Sequence, residues 1–225
     1  MPRLCGIFDS ESAPDSLQEL LGRMCTVMTH ETWYQIQTYC QSPLAIGRVS
    51  LGILNPQAQP ASNEDKTVLA WLDGEIYDFQ RRDLVHQLQA KGHQLRSKSD
   101  AELLAHLYED LGEDCVRDLD GTLAVAILDR HSGKLLIAVD RDATRLLYFC
   151  AQGNRFLFGA EVKAILQDPR VQRHLDEQGL VEFFTFRHPL GERTLVRDVR
   201  FLPAGCVATF CKGQARVRSY WDPNR

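Results

Sequence analysis

The sequence lacks the long apolar runs that place a chain in or across a membrane. No stretch of its 225 residues approaches the roughly 20 apolar residues that a spanning helix needs. The start of the chain, Met1-Pro2-Arg3-Leu4-Cys5, also lacks the apolar core of about 7–15 residues that marks a secretory signal peptide. These absences argue against a membrane protein and predict a cytoplasmic one.

A surplus of positive charge is missing as well. Lys and Arg number 26 against 30 Asp and Glu, which gives a formal net charge of −4. Nucleic-acid-binding domains usually carry a basic patch, so this balance argues against a nucleic-acid partner. With 44% hydrophobic and 25% charged residues, the composition is that of an ordinary globular protein rather than a disordered one.

Paired cysteines are also absent. The seven cysteines are odd in number and scattered, and none forms a CxxC pair. This pattern indicates reduced thiols in a cytosol rather than a disulfide framework or a zinc site. His86 and His93 lie near a helix end without a third ligand close in sequence. We therefore expect no metal site.

One motif points to a different chemistry. The run 118–123, DLDGTL, is similar to the first motif of haloacid-dehalogenase-type phosphatases, in which the first Asp is the nucleophile. That chemistry requires an apolar strand before Asp118, whereas here the apolar residues Leu123–Leu128 follow it. We therefore interpret the motif as a turn before a strand.

Apolar periodicity predicts helices and strands in separate blocks. Helices are expected over roughly 14–28, 78–91, 99–111, 161–167 and 176–184. Strands are expected around 3–9, 44–51, 68–72, 122–129, 134–139, 146–150, 156–159, 194–199 and 206–220. Blocks of helices between runs of strands favour the α+β class. No linker or repeat divides residues 1–225, which we interpret as a single domain.

A short apolar run near the amino terminus, residues 3–9, holds one thiol, Cys5. Such a cysteine suits an amino-terminal nucleophile whose own α-amine serves as base, because an α-amine titrates near about 8 and a thiol near about 8.5. Four residues precede it, so residues 1–4 would first have to be removed as a leader. Alternatively, Cys5 is a small buried residue of the first strand, as free cysteines often are.

Three further polar positions stand out, and each has an ordinary explanation when taken alone. Arg48 would be a solvated strand residue. Asp73-Gly74, followed by Glu75, would be a tight turn that ends the strand 68–72. Asp100 would be a first-turn acid that interacts favourably with its helix dipole. Taken singly, these residues do not specify a site.

Taken together, the motifs form an ordered series along the chain. They are Cys5-Gly6-Ile7-Phe8, Arg48-Val49-Ser50, Asp73-Gly74-Glu75-Ile76-Tyr77-Asp78, Ser99-Asp100-Ala101-Glu102, Asp140-Arg141-Asp142, Leu202-Pro203-Ala204-Gly205 and Tyr220-Trp221-Asp222. This series resembles the class II glutamine amidotransferase domain, an N-terminal nucleophile hydrolase, at the front of asparagine synthetases. The resemblance implies a four-layer αββα sandwich of two stacked, largely antiparallel sheets between helical layers.

The resemblance also implies hydrolysis of the glutamine side-chain amide to glutamate and ammonia through a thioester on Cys5. Asp73 and Gly74 would stand at the oxyanion hole. Arg48 would bind the substrate α-carboxylate. The α-ammonium would bind Glu75 and Asp100.

The family pairs this reaction with a second, ATP-dependent one that uses the ammonia. The chain holds no Ser-Gly-Gly-x-Asp-Ser pyrophosphatase loop. The expected partner is therefore a synthetase domain or subunit, to which ATP and Mg²⁺ would belong. No cofactor is expected for the glutaminase step, and a homodimer is left open.

Three departures from the family pattern leave a second interpretation open. Cys5 is capped by four residues, and residues 30–34 differ from the family's closing loop. Asp73 stands where the family has Asn, and a carboxylate offers an oxyanion no donor unless it is protonated. The alternative is a catalytically degenerate domain that keeps the fold and acts as an interaction or regulatory module.

Overall fold

Twelve strands and five α-helices make up the part of the chain that a computed structural model describes, residues 3–97 and 99–222. The strands are β1 (Arg3–Asp9), β2 (Gln35–Gln41), β3 (Leu44–Ser50), β4 (Ala61–Ser62), β5 (Val68–Ile76), β6 (Gly121–Asp129), β7 (Lys134–Val139), β8 (Tyr148–Gln152), β9 (Arg155–Gly159), β10 (Arg200–Phe201), β11 (Cys206–Cys211) and β12 (Gln214–Ser219). The helices are α1 (Pro14–Met28), α2 (Asp78–Ala90), α3 (Asp100–Leu111), α4 (Val162–Ile165) and α5 (Glu177–Phe186), with a 3₁₀ turn at Gly112–Asp114.

These strands form two six-stranded antiparallel sheets. The first sheet has the order β10-β8-β9-β1-β3-β2, so β1 lies inside the sheet between β9 and β3. The second sheet has the order β12-β11-β7-β6-β5-β4. The amino-terminal strand is thus flanked by partners on both sides.

The inner faces of both sheets share one hydrophobic core. Successive side chains of a strand point to opposite faces. Accordingly Leu4 and Phe8 of β1 enter this core together with Trp71 of β5. Cys5 and Ile7 point to the outer face of the first sheet. The direction of the Cys5 side chain is therefore set by the alternation of β1.

Helices cover both outer faces. Helix α1 packs Leu17, Leu21 and Met24 against the outer face of the first sheet. Helix α3 packs residues such as Leu104 against the second sheet. The Ser99 hydroxyl caps α3 by accepting a hydrogen bond from the Glu102 N–H at 3.2 Å, as the capping-box pattern predicts. The layer order helix, sheet, sheet, helix confirms the predicted α+β sandwich.

Two strand assignments differ from expectation in the second sheet. Strand β5 does not end in a turn at Asp73-Gly74 but continues to Ile76, because Gly74 pairs with Leu123 in the ladder to β6. Residues 206–220 form a hairpin of two strands rather than one strand.

The expected strand at 194–199 is wrong. This segment retains only an isolated bridge between Leu175 and Val196. The Thr194 hydroxyl donates to the carbonyls of Val196 and Val199 and accepts from the Val196 N–H. A side chain that satisfies nearby backbone groups competes with a strand ladder, which explains the turn.

None of the helices within residues 3–97 and 99–222 combines the length and the apolar character needed to cross a membrane.

Candidate active site

The Cys5 thiol is completely buried on the outer face of the first sheet, beneath α1. Its Sγ lies 3.8 Å from the Sγ of Cys25 on that helix. A Cβ added to Gly47 would lie 2.2 Å from the Cys25 sulfur and 3.3 Å from the Cys5 sulfur. A glycine at position 47 therefore leaves the space that both thiols occupy. The hydrogen bond to Cys25, together with burial, raises the pKa of the Cys5 thiol well above its ordinary value.

The backbone of Cys5 is fixed within its strand. Leu4 pairs with Arg48 across the ladder to β3. The Leu4 side chain is fully buried between the sheets, and its carbonyl accepts a hydrogen bond from the Ala160 N–H at 2.9 Å. The nitrogen of Cys5 is consequently an amide inside a sheet, which cannot serve as a base.

The predicted leader, residues 1–4, is partly built into the fold. Met1 and Pro2 lie outside the described residues. Arg3 forms an ion pair with Glu161 and donates to the Met28 carbonyl at 3.1 Å. Removal of residues 1–4 stays a prediction.

Arg48 is buried rather than solvated, contrary to its ordinary explanation. Only 1% of its surface is exposed, and it lies on the inner face of β3. One guanidinium nitrogen donates to the Leu54 carbonyl at 2.7 Å, and another lies 3.4 Å from Gln37 Oε1. Among the described residues its Nε has no hydrogen-bond partner. Burial lowers the pKa of Arg48, and the nearby charge of Asp73 opposes that effect.

Asp73 is the second buried charge of this interior. It is 2% exposed on the inner face of β5, and Oδ1 accepts no hydrogen bond from any described residue. Burial raises its pKa to about 6, although Arg145, Arg48 and Arg3 all favour the charged form. The Asp73 carboxyl therefore takes up a proton at about pH 6, whereas an ordinary aspartate does so at about pH 4.

Gly74 follows Asp73 with a φ of +114°, a conformation that side chains rarely adopt. A Cβ at this position would lie 1.8 Å from the Thr122 carbonyl oxygen, so only glycine fits. Strand alternation places the partly exposed Glu75 on the same face as Asp73.

Asp100 begins α3 and joins that helix to the end of β5. Its Oδ2 accepts hydrogen bonds from the Ile76 N–H and from Asn55 Nδ2, both at 3.0 Å. Its Oδ1 forms an ion pair with Arg81 Nε at 2.7 Å. Asn55 also donates to the Gly74 carbonyl at 3.0 Å. The Asp100 carboxylate is thus bonded through both oxygens.

A cavity of about 510 Å³ lies near Arg48 and Asp73, although neither of these two residues lines it. Its lining includes Leu54, whose carbonyl binds Arg48, and Arg145, whose charge acts on Asp73. Such a volume lies within the range of small-molecule pockets.

Most of the predicted site residues converge here. Arg48 and Asp73 share the inter-sheet interior, and Gly74 joins Asp100 through Asn55. Cys5 does not join them, since its side chain lies on the opposite face of the first sheet.

The sequence patterns did not indicate two residues of this region. Asn55 has a φ of +45°, and a non-glycine residue with positive φ in a polar loop is a signal for a structural role, although only coordinates show the angle. Arg145 lies about 70 residues from Asp73 along the chain, so no local pattern connects them.

Comparison with known proteins identifies the family of this chain. The family model of the glutamine amidotransferase domain matches residues 4–221. Asparagine synthetase [glutamine-hydrolyzing] 3 of Bacillus subtilis is 34% identical over 151 residues, which are 67% of this chain and 24% of that protein. Asparagine synthetase [glutamine-hydrolyzing] 2 of Arabidopsis thaliana is 34% identical over 133 residues, or 58% of this chain and 22% of that protein. The chain thus spans about a quarter of the length of these relatives.

Solved structures show the same fold at low sequence identity. Glutamine phosphoribosylpyrophosphate amidotransferase from B. subtilis, complexed with ADP and GMP, matches with a TM-score of 0.63 and 16% identity, over 97% of this chain and 49% of that chain. A glutamine aminotransferase class-II domain protein from Silicibacter pomeroyi matches with a TM-score of 0.50 and 14% identity, over 99% of this chain and all of that chain.

Proposed function

Because the chain belongs to the glutamine amidotransferase domain family, we propose that it hydrolyses the side-chain amide of glutamine to glutamate and ammonia. The observation that carries this proposal is the pair of buried charges, Arg48 and Asp73, which are linked through Leu54 and Arg145 to a cavity of about 510 Å³. Two charges are retained in an apolar interior only where a function or strong pairing compensates their desolvation.

The charges of the site match the two ends of an amino acid. The Arg48 Nε, which has no partner among the described residues, is free to donate to the substrate α-carboxylate. Glu75 would accept the α-ammonium more readily than Asp100, because Asp100 is already bonded to Arg81 and Asn55. Asp100 then supports the site by fixing the end of β5.

The nucleophile requires a change at the amino terminus. Hydrolysis of the peptide bond between Leu4 and Cys5 would consume one water, release the preceding segment and give Cys5 a free α-amine as base. Removal of the buried Leu4 would also make Cys5 the first residue of β1, so that it is held only by its own pairing with Gly47 and Gly159 and its sulfur could turn towards Asp73 and Gly74. We propose that residues 1–4 are this removable leader. We also propose that residues 1–225 form a single domain.

With the amine free, the reaction proceeds in two steps. The α-amine takes the thiol proton, and the Cys5 thiolate attacks the amide carbon. The resulting α-ammonium passes that proton to the amide nitrogen, which leaves as ammonia, and a γ-glutamyl thioester remains. Water then opens the thioester to glutamate and regenerates the thiol. The N–H of Gly74 and a protonated Asp73 would stabilise the oxyanion. We expect no cofactor for these steps.

The ammonia would serve an ATP-dependent amide-forming partner. The curated relatives are asparagine synthetases that extend well beyond the matched region. Exposed apolar side chains on α5, namely Val181, Phe184 and Phe186, offer this chain a surface for such a domain or subunit. We propose that this chain and its amide-forming partner are both located in the cytoplasm.

A catalytically degenerate module is the second candidate. It is favoured by the capped Cys5, which is buried under α1 on the outer face of the first sheet, and by Asp73 at the oxyanion position. Two measurements distinguish the active enzyme from the degenerate module: the intact mass of the purified protein and its release of ammonia from glutamine. A protein that starts at Cys5 and releases ammonia, with no release from Cys5→Ala, supports the enzyme. A protein that keeps residues 1–4 and is inactive supports the module.

A further inference from the structure

Four polar side chains converge beside α3, away from the residues discussed above. Glu64 lies between β4 and β5, His93 follows α2, and His106 and Glu109 lie one turn apart on α3. We call them the His–Glu cluster. Their ligand atoms all lie within 4.8 Å of one another. Near His86 and His93 the sequence offers no third ligand, whereas the structure brings His93 to His106 of α3.

Four distances within the His–Glu cluster lie close to the edge length of a zinc tetrahedron. His93 Nδ1 lies 3.2 Å from His106 Nδ1, 3.7 Å from one Glu64 oxygen and 3.8 Å from Glu109 Oε2. His106 Nδ1 lies 3.3 Å from the other Glu64 oxygen. Zinc bonds of about 2.0–2.2 Å to nitrogen and oxygen give tetrahedral edges of roughly 3.3–3.6 Å. A zinc ion therefore fits between these atoms with small adjustments.

Neighbouring groups orient two of the four side chains. His93 Nε2 lies 3.1 Å from a carboxylate oxygen of Asp110, so this nitrogen donates and Nδ1 presents its lone pair to the cluster. Asn63 Nδ2 donates to Glu109 Oε2 at 3.1 Å and holds that carboxylate. Metal-binding histidines and carboxylates are usually fixed by such second hydrogen bonds.

The His–Glu cluster contains more hydrogen-bond acceptors than donors. If His106 Nδ1 carries a proton, it can serve only one of its two nearby acceptors, His93 Nδ1 and the Glu64 carboxylate. A divalent cation would bind both of them and the Glu109 carboxylate at once. His106 is completely buried, whereas the side chains of Glu64 and Glu109 are 33% and 40% exposed, so an ion can reach the site from solvent.

We propose that the His–Glu cluster binds one Zn²⁺ ion with a structural role. Imidazole nitrogens combined with carboxylate oxygens are ligands that suit zinc. The ion would tie the β4–β5 connection and the segment after α2 to α3, the helix whose first residue, Asp100, supports β5. This site does not depend on the proposed glutaminase activity.

The test is calorimetric titration of the full, chelator-treated chain with Zn²⁺, and we expect one ion per chain. His93→Gln should abolish tight binding, whereas the same exchange at the exposed His86 should leave it unchanged. Asp110→Asn should weaken binding by about 10–100-fold, because it removes the group that orients His93. Glu109→Gln serves as a second ligand variant if His93→Gln fails to fold.

Cobalt distinguishes this site from the cysteines. Co²⁺ should give visible d–d bands of a tetrahedral nitrogen and oxygen site, and His93→Gln should lose them. Zn²⁺ should also raise the Tm of the wild-type chain but not of His93→Gln. Two results would overturn the proposal: no stoichiometric binding to the wild-type chain, or a thiolate-to-cobalt charge-transfer band that His93→Gln leaves unchanged.

Discussion

The sulfur atoms of Cys5 and Cys25 lie 3.8 Å apart, on the face of the first sheet that points away from Arg48 and Asp73. The residue expected to act as nucleophile is thus held under a helix by another thiol. The groups expected to bind substrate lie on the other side of the same sheet. Activity therefore depends on a rearrangement at the amino terminus.

The first prediction concerns the reactivity of this thiol. Cys25→Ala removes the hydrogen bond that contributes most to raising the pKa of Cys5. We expect the pH at which Cys5 reacts with iodoacetamide to fall, as measured by peptide mass spectrometry. Cys150→Ala is the matched control, because Cys150 is buried in the same core but has no hydrogen bond to Cys5 among the described residues. Equal effects of both variants would show that the thiol contact does not matter.

The second prediction concerns the stability cost of Asp73. Its folded-state pKa, about 6, lies above the unfolded value of 3.8, so the native state binds more protons between these values. Stability contributed by the neutral acid is therefore present below about pH 4 and is lost as pH rises through 6. Asp73→Asn should raise the free energy of unfolding at pH 7–8 by roughly 2–3 kcal/mol, and the gain should vanish near pH 4.

Asp9 provides a control of opposite sign. Its carboxylate accepts hydrogen bonds from Ser12 and from the Glu11 N–H, and its pKa lies below the ordinary value because these bonds and nearby arginines outweigh the effect of burial. Asp9→Asn should therefore destabilise the protein at pH 7 and matter less in acid. Urea unfolding of both variants between pH 4 and 8 measures the two trends. Parallel trends would contradict the assignment of a raised pKa to Asp73.

The third prediction concerns turnover. In protein that has lost residues 1–4, Asp73→Asn supplies an amide donor where a carboxylate stood, and it should increase glutamine turnover by about 10²–10³. The ratio of mutant to wild-type turnover should shrink as pH falls through about 6, because Asp73 then gains a proton and can donate. A ratio that is independent of pH would exclude this role of Asp73.

The fourth prediction separates steric exclusion from backbone strain. Gly74→Ala would place a Cβ 1.8 Å from the Thr122 carbonyl oxygen at a φ of +114°. Gly92 has a comparable φ of +100°, but a Cβ added there would meet no atom within 4 Å. We expect a loss of about 1 kcal/mol for Gly92→Ala and of more than about 3 kcal/mol for Gly74→Ala. Similar losses in urea unfolding would mean that the β5–β6 ladder yields.

Local sequence patterns predicted much of the fold but not its exceptions. The apolar stripe of α1 and the cap of α3 at Ser99 depend on neighbours in sequence, so they could be inferred. Asp73-Gly74 was wrongly interpreted as a turn because glycine after aspartate usually marks one. Here the long-range ladder to β6 continues the strand through Gly74.

The resemblance named candidate site residues, but the sequence did not predict their geometry. Arg48 and Asp73 were identified by resemblance, and the structure brings both into the inter-sheet interior. The outward direction of Cys5 follows from strand alternation only once the inner face of β1 is known, and that face is defined by contacts with the second sheet. The His–Glu cluster joins three distant segments, which no local spacing reveals.

The most direct test of the central claim compares two amino termini. In one variant Pro2, Arg3 and Leu4 are deleted, so that removal of Met1 exposes Cys5; the other is a full-length chain whose intact mass shows that residues 1–4 are retained. We expect an electrophilic glutamine analogue to label Cys5 only in the shortened chain, which should also release ammonia from glutamine. Labelling of Cys5 and ammonia release by the full-length chain, at the same rate, would contradict the requirement for a free amino terminus.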